Sequence, residues 1–156
     1  MISEPQFGRP EPGAAPRERP AAFCVVEDGG RIALVKITTG RTPPFFDLPG
    51  GALDEGETAQ AAGARELIEE TGLVVEVGAL VGAARQHFRL GNGEAVNNHC
   101  RFHAARIVGH DPAGKIEDDH ELVWKTPLEA LGLLRHEAHA WAVVAWMRQT
   151  HAPDAL

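Results

Sequence analysis

Three glutamates, Glu66, Glu69 and Glu70, stand at i, i+3 and i+4 within Arg65-Glu66-Leu67-Ile68-Glu69-Glu70-Thr71-Gly72-Leu73. On a helix this spacing puts all three carboxylates on one face. Like charges so close repel one another and mildly destabilise a bare helix, so the arrangement asks for a compensating cation. A hard divalent ion such as Mg²⁺ favours carboxylate oxygens together with water and phosphate. The competing reading is a solvated acidic face with Arg65 paired to Glu69, the commoner meaning of a charge run.

The elements that must position these groups are readable nearby. Thr58 suits an N-cap, its hydroxyl able to take an orphan N–H. Ala59 to Thr71 is mostly helix-favouring, and Gly72 stands where a left-handed residue ends a helix. Gly63 is the exception. A mid-helix glycine costs about 1 kcal/mol against alanine, which points to close packing there. Upstream, Asp47-Leu48-Pro49-Gly50-Gly51 forms a tight entry whose glycines permit unusual backbone angles. Such a turn can aim a carbonyl, that of Gly51 for instance, at a metal ion.

Residues 51–73 fit Gly-x5-Glu-x7-Arg-Glu-U-x-Glu-Glu-x-Gly-U, with U apolar, at every specified position: Gly51, Glu57, Arg65, Glu66, Leu67, Glu69, Glu70, Gly72 and Leu73. This is the Nudix box, and the chain resembles the Nudix hydrolases (MutT-like), with no subgroup assigned. The box covers 23 residues; beyond it the likeness is one of element order. The resemblance implies an α/β fold, an α/β/α sandwich whose mixed sheet carries the box helix on one face and a C-terminal helix on the other. It implies hydrolysis of a pyrophosphate bond in a nucleoside diphosphate linked to another group. Mg²⁺, or Mn²⁺ in its place, is the implied cofactor, held by Glu66, Glu69, Glu70 and the Gly51 carbonyl. Glu69 or Glu70 stands nearest the attacking water. Glu57 and Arg65 stand behind the ligands, with Arg65 orienting carboxylates and keeping them ionised. An acid from the loop before Trp124 often completes such a site. Glu117, Asp118, Asp119 and Glu121 are the candidates, Glu117 and Glu121 preferred. For any one of them a solvated loop position is at least as good a reading.

The substrate is less determined. No proline lies between Leu73 and Val108, where ADP-ribose hydrolases of the family commonly have one, and there is no tyrosine to match the diadenosine-polyphosphate group. A nucleoside triphosphate, oxidised ones included, and a nucleotide sugar stay open. Phe45, Phe46, Phe88 and Phe102 offer faces on which a base can stack, although core packing is expected for most of them. A nucleotide-sensing domain that binds without cleaving is the alternative function. The complete box favours catalysis over it.

The 156 residues suggest one domain. A net charge of −7 argues against broad binding to a nucleic-acid backbone. Cys24 and Cys100 read as buried thiols of a reduced compartment. No run approaches a transmembrane helix and no secretory apolar core opens the chain, so a cytoplasmic protein acting on a small nucleotide is expected. A homodimer, through the N-terminal arm or Ile68, is the other expected partner.

In chain order, residues 1–20, with five prolines, form an arm, either irregular or laid across the body with Phe7 as anchor. Residues 21–150 form the catalytic domain and 151–156 a tail. Ala21–Glu27 and Arg31–Thr38 read as strands joined at Asp28-Gly29-Gly30. Leu73–Val77, Leu80–Leu90 and Ala95–Val108 follow, with a bulge or bend at Gly78. The alternate face with His99, Arg101 and His103, joined by His87 across the hairpin, reads as solvated or pairing residues ahead of a site. Glu121–Lys125 is a short strand, Thr126-Pro127 caps a helix, and His136–Gln149 is a last helix with Ala138, Trp141, Ala142, Ala145 and Trp146 inward.

Overall fold

A computed structural model describes residues 4–39 and 43–150. Part of the loop after β3 and the expected tail lie outside the described residues. The elements are β1 (Gln6–Phe7), β2 (Arg17–Asp28), β3 (Arg31–Ile37), β4 (Phe45–Asp47), β5 (Gly50–Ala52), α1 (Ala59–Thr71), β6 (Leu73–Arg89), β7 (Ala95–His110), β8 (His120–Lys125), α2 (Pro127–Leu133) and α3 (Glu137–Thr150).

Strand β2 is the centre. Ala21 to Val26 are all buried, as a strand covered on both faces requires. Alternation sends Ala21, Phe23 and Val25 to one side and Cys24 and Val26 to the other. The first set packs with Ile32, Leu34, Phe102 and the α3 residues Ala138, Ala142, Val143 and Trp146. The second packs with Ala33, Leu67 of α1, Leu73 and Val75. The box helix therefore covers one face of a mixed sheet and α2 and α3 cover the other, the expected α/β/α sandwich.

The sheet splits, and the split makes a cleft. β2 and β3 pair only beside their turn, Glu27 opposite Ile32 and Asp28 opposite Arg31. Beyond it they part. β5 takes the free edge of β2, with Gly51 opposite Ala22, while β4 takes the free edge of β3, with Asp47 opposite Val35. Leu48 and Pro49 step between the two, Leu48 fully buried. On its other edge β2 runs parallel to β7 from Arg17 opposite Val96 to Val26 opposite Ala105. β8 lines the other edge of β3.

Several elements differ from the sequence expectation. β2 begins at Arg17, not Ala21, because its first residues gain partners on β7. The segments either side of Gly78 are one strand, with register shifts between Val77 and Leu80 and again before Gly82. The arm is not irregular throughout. Gln6 and Phe7 pair in parallel with Arg85 and Gln86, Phe7 meets the Trp141 ring, and Gln6 exchanges amide hydrogen bonds with Asn97. These contacts fall on its own chain, as does the packing of Ile68 against Gly114. On α3 the five expected residues all pack in the core, Trp141 and Ala145 at its edge, and His139 and Val143 are buried beside them.

Candidate active site

Helix α1 begins and ends as its residues dictate. Thr58 Oγ accepts from Ala61 N–H, and Gly72, at φ 76°, closes the last turn by donating to Ile68. Mid-helix Gly63 lies against Cys24, where a methyl group would sit 3.0 Å from Sγ. The helix rests on the sheet so closely that its next polar turn overlies β5. Gly51 leaves the Glu66 carboxylate its place: a Cβ there would stand 2.8 Å from one of its oxygens.

Arg65 gathers the acids. Its fork takes Glu57 through two 2.9 Å bonds, and it donates to Glu66 at 3.0 Å, Glu69 at 3.1 Å and the Ala52 carbonyl at 3.1 Å. It holds the Glu57 carboxyl down to about 2. Glu66 behaves oppositely. Burial raises its pKa, with the Glu69 and Glu117 charges adding to the rise.

Glu70 is buried, and one oxygen accepts from the Gly50 N–H at 2.7 Å. The other lies 3.0 Å from His120 Nε2, whose Nδ1 lies 2.8 Å from Asp119. Asp119 also accepts from the Thr39 hydroxyl. Burial pushes the Glu70 carboxyl up to about 7, while its hydrogen bond to His120 lifts that imidazole to about 9. Glu117, Asp119 and His120 bring ligand atoms within 4.8 Å of one another, and the Ile116 and Glu117 amides are tied to the Glu69 carbonyl.

This donor set fits a hard divalent cation. Several carboxylates converge, partly desolvated, and repel one another; a glycine leaves Glu66 room; an arginine behind them hydrogen-bonds Glu57, Glu66 and Glu69. Glu66, Glu69, Glu70, Gly51, Glu57, Arg65 and Glu117 are thus brought together. Glu121 is not. It is exposed and shares the strand face of Val123, whereas His120 shares that of Leu122 and Trp124, which pack on the α1 side. Asp118 is exposed in the loop. His99 pairs with Glu18 and His103 is buried, and neither lines the cleft.

The cleft is a cavity of about 750 Å³ with Gly50, Gly51, Glu70, Asp119 and His120 on one wall. Arg19, Asn98, Phe88, Arg89, Arg135 and His136 line the rest. Arg135 grips buried Asp47 through bonds of 2.9 and 2.8 Å and lies 4.4 Å from the centre of the Phe45 ring. Phe88 meets His136 edge-on, while Phe102 is fully buried. Sequence reasoning missed His120 by starting the strand at Glu121; extending the alternation of Leu122 and Trp124 back by two finds it. Arg19, Asn98 and Arg135 come from distant segments and carried no local signal.

A split mixed sheet with a glutamate-bearing helix over a glycine strand defines a Nudix-type fold and site. The chain belongs to that family: the NUDIX domain model matches residues 17–147. It is 34% identical over 103 residues to an 8-oxo-(d)GTP phosphatase of Mycolicibacterium smegmatis (strain ATCC 700084 / mc(2)155), covering 65% of this chain and 30% of that protein. It is 40% identical over 58 residues to an ADP-ribose pyrophosphatase of Methanocaldococcus jannaschii, covering 37% and 34%. The chain thus spans about a third of the length of these two relatives. A NUDIX hydrolase structure from Nitrosomonas europaea shares the fold, with a TM-score of 0.72 and 21% identity over 88% of this chain and 94% of that one.

Proposed function

We propose that this chain is a divalent-metal-dependent pyrophosphohydrolase acting on nucleoside triphosphates, oxidised purine ones included. One observation carries the reading: Arg65 binds Glu66 and Glu69 together, Glu66 stands against Gly51, and Glu70 lines with Gly50 and Gly51 a cavity of about 750 Å³ that aromatic and cationic side chains complete. The 8-oxo-(d)GTP phosphatase relative supports the substrate class. A cytoplasmic setting accords with buried free thiols at Cys24 and Cys100, and among the described residues no helix is long and apolar enough to cross a membrane.

In this reading Glu66, Glu69 and Glu70, with the Gly51 carbonyl, hold Mg²⁺ or Mn²⁺. When bound, such an ion neutralises phosphate oxygens and acidifies a water. Arg65 holds Glu66 and Glu69 in place through its hydrogen bonds. Glu70, kept by the Gly50 amide and His120, is positioned at the cavity, which His120 also lines. Glu117 is the loop acid that completes the set. Phe88, which lines the cavity, offers the base a flanking surface. A nucleotide sugar is the second reading, favoured by the ADP-ribose pyrophosphatase relative and weakened by the missing proline. A silent sensor is disfavoured by the complete box.

The test is a panel of nucleoside triphosphates and nucleotide sugars with Mg²⁺, products identified by mass. Cleavage of an anhydride bond that stops in EDTA and returns with Mg²⁺ or Mn²⁺ is expected. Cleavage that persists in chelator overturns the mechanism. Metal-dependent binding without cleavage selects the sensor.

A further inference from the structure

The cationic side chains of the cavity are not equivalent. Arg135 is committed to Asp47 through two bonds. Arg89 is held by Glu11 of the arm, and His120 by Glu70 and Asp119. Arg19 differs. Its one hydrogen-bond partner recorded among the described residues is neutral, Asn98 Oδ1 at 3.2 Å, and no carboxylate stands within ion-pair distance of it among those residues.

The fold holds this arginine in place. Arg19 sits in β2 directly opposite Asn98 of β7, and Asn98 is only 4% exposed. Both line the cavity beside Gly50 and Gly51, the strand that abuts Glu66. The guanidinium is half-buried, and desolvation chiefly lowers its pKa; Arg17 adds to the fall while the Glu66 charge opposes it. A desolvated cation without a counter-ion is costly unless an anion arrives to meet it. A guanidinium fork fits phosphate oxygens with paired, charge-assisted bonds.

We propose that Arg19, oriented by Asn98, is a phosphate-binding residue that grips substrate phosphate oxygens from the β2–β7 side of the cavity that Glu70 also lines. The assignment rests on the nucleotide reading above. It divides the work: the carboxylates hold the phosphate chain through metal, and Arg19 takes oxygens directly.

The test uses the full chain with Mg²⁺ and a non-hydrolysable imido analogue of dGTP, binding measured by calorimetry, beside steady-state hydrolysis of dGTP. Arg19→Gln should weaken analogue binding and raise KM by on the order of tenfold to a hundredfold, the worth of a lost charge-assisted bond. Its kcat should stay within about threefold, and its thermal midpoint and Mg²⁺ affinity without nucleotide should be unchanged. Arg19→Lys, which keeps charge but loses the fork, should fall between. Deoxyguanosine, lacking phosphate, should bind the variants and the wild type alike. An Arg19→Gln protein that binds the analogue as the wild type does, or that loses deoxyguanosine equally, overturns the assignment to phosphate. A wild-type chain that cleaves nothing on the panel overturns the hydrolase reading instead, a result distinguishable because it needs no variant. If Arg19→Gln does not fold, the Lys variant decides, and unchanged KM and binding there overturn the proposal.

Discussion

Replacing Gly51 by alanine tests the site geometry with one methyl group. The backbone of Gly51 is not in the left-handed region, so alanine strains nothing locally, and a strand residue tolerates it. The new Cβ instead meets Glu66: Oε1 at 2.8 Å and Cδ at 2.9 Å, where ordinary contact begins near 3.4 Å. The carboxylate must withdraw by about 0.6 Å to restore that contact. It can do so, because it is the far end of a flexible side chain. Stability should therefore change by less than about 1 kcal/mol, as for an exposed-side adjustment. Activity should not escape. A misplacement near 1 Å costs on the order of a hundredfold in rate, so a kcat loss of about tenfold to a hundredfold is expected, with more Mg²⁺ needed for half-maximal rate. The neighbouring Gly50→Ala variant is the contrast. Its Cβ would lie 2.1 Å from the Ala22 carbonyl oxygen, and φ is +149°, so the obstacle is backbone and the protein should be lost from the soluble fraction. The assay is phosphate or pyrophosphate release against Mg²⁺ concentration, with a urea melt of each variant. A Gly51→Ala protein with unaltered kcat and metal dependence would refute the placement of Glu66 at the reacting centre.

Three further outcomes follow from the same contacts. Glu70→Gln keeps an acceptor for the Gly50 amide, so it should stay folded by circular dichroism while hydrolysis falls by about 10² or more, as when a charge-stabilising group is removed; near-normal turnover at saturating Mg²⁺ would count against a ligand role. His139 is fully buried, its Nδ1 accepting from the Leu48 N–H, and burial pushes its pKa down to about 3. A depressed value means stability that is present above the unfolded pKa near 6.5 and lost as pH falls toward 3, because the unfolded chain takes a proton that the fold refuses. Between pH 7 and 5 the native chain should lose about 2 kcal/mol more than a His139→Gln variant, read from urea midpoints; the comparison removes the opposing trend from Glu70 and His120, and parallel pH profiles would refute it. Thr126→Ala removes a hydroxyl that accepts from Glu129 N–H within a capping box, and should cost about 1 kcal/mol in a thermal melt with no change in KM.

What was legible in the sequence was what is local in it. The cap, the closing glycine and the three acids of α1 lie within a few turns of one another, so periodicity and one motif were enough to find the element and the face that carries its acids. The turn at Asp28-Gly29-Gly30 and the Thr126-Pro127 helix start were equally local. The rest depended on which strand meets which. Pairing of Arg17–Pro20 with β7, of Phe7 with β6, and of β5 with β2 is set by tertiary partners, and proline-rich composition hid the first two. His120 fell outside the expected strand by one residue, while Glu121 was preferred from its charge alone, although alternation turns it away from Glu70. Arg19 and Asn98 come together only through the parallel register, which no window of sequence contains.

That register has a bearing on biosynthesis. Strand β2 is made well before its partner: from Arg17 to Val26 it pairs with residues some eighty positions later in translation. Until then an apolar segment must wait with that edge open, and long-range pairing of this kind is slow to form and exposed to misassociation. The α1 helix, which covers one side of that strand, is made in the interval and can shelter it first.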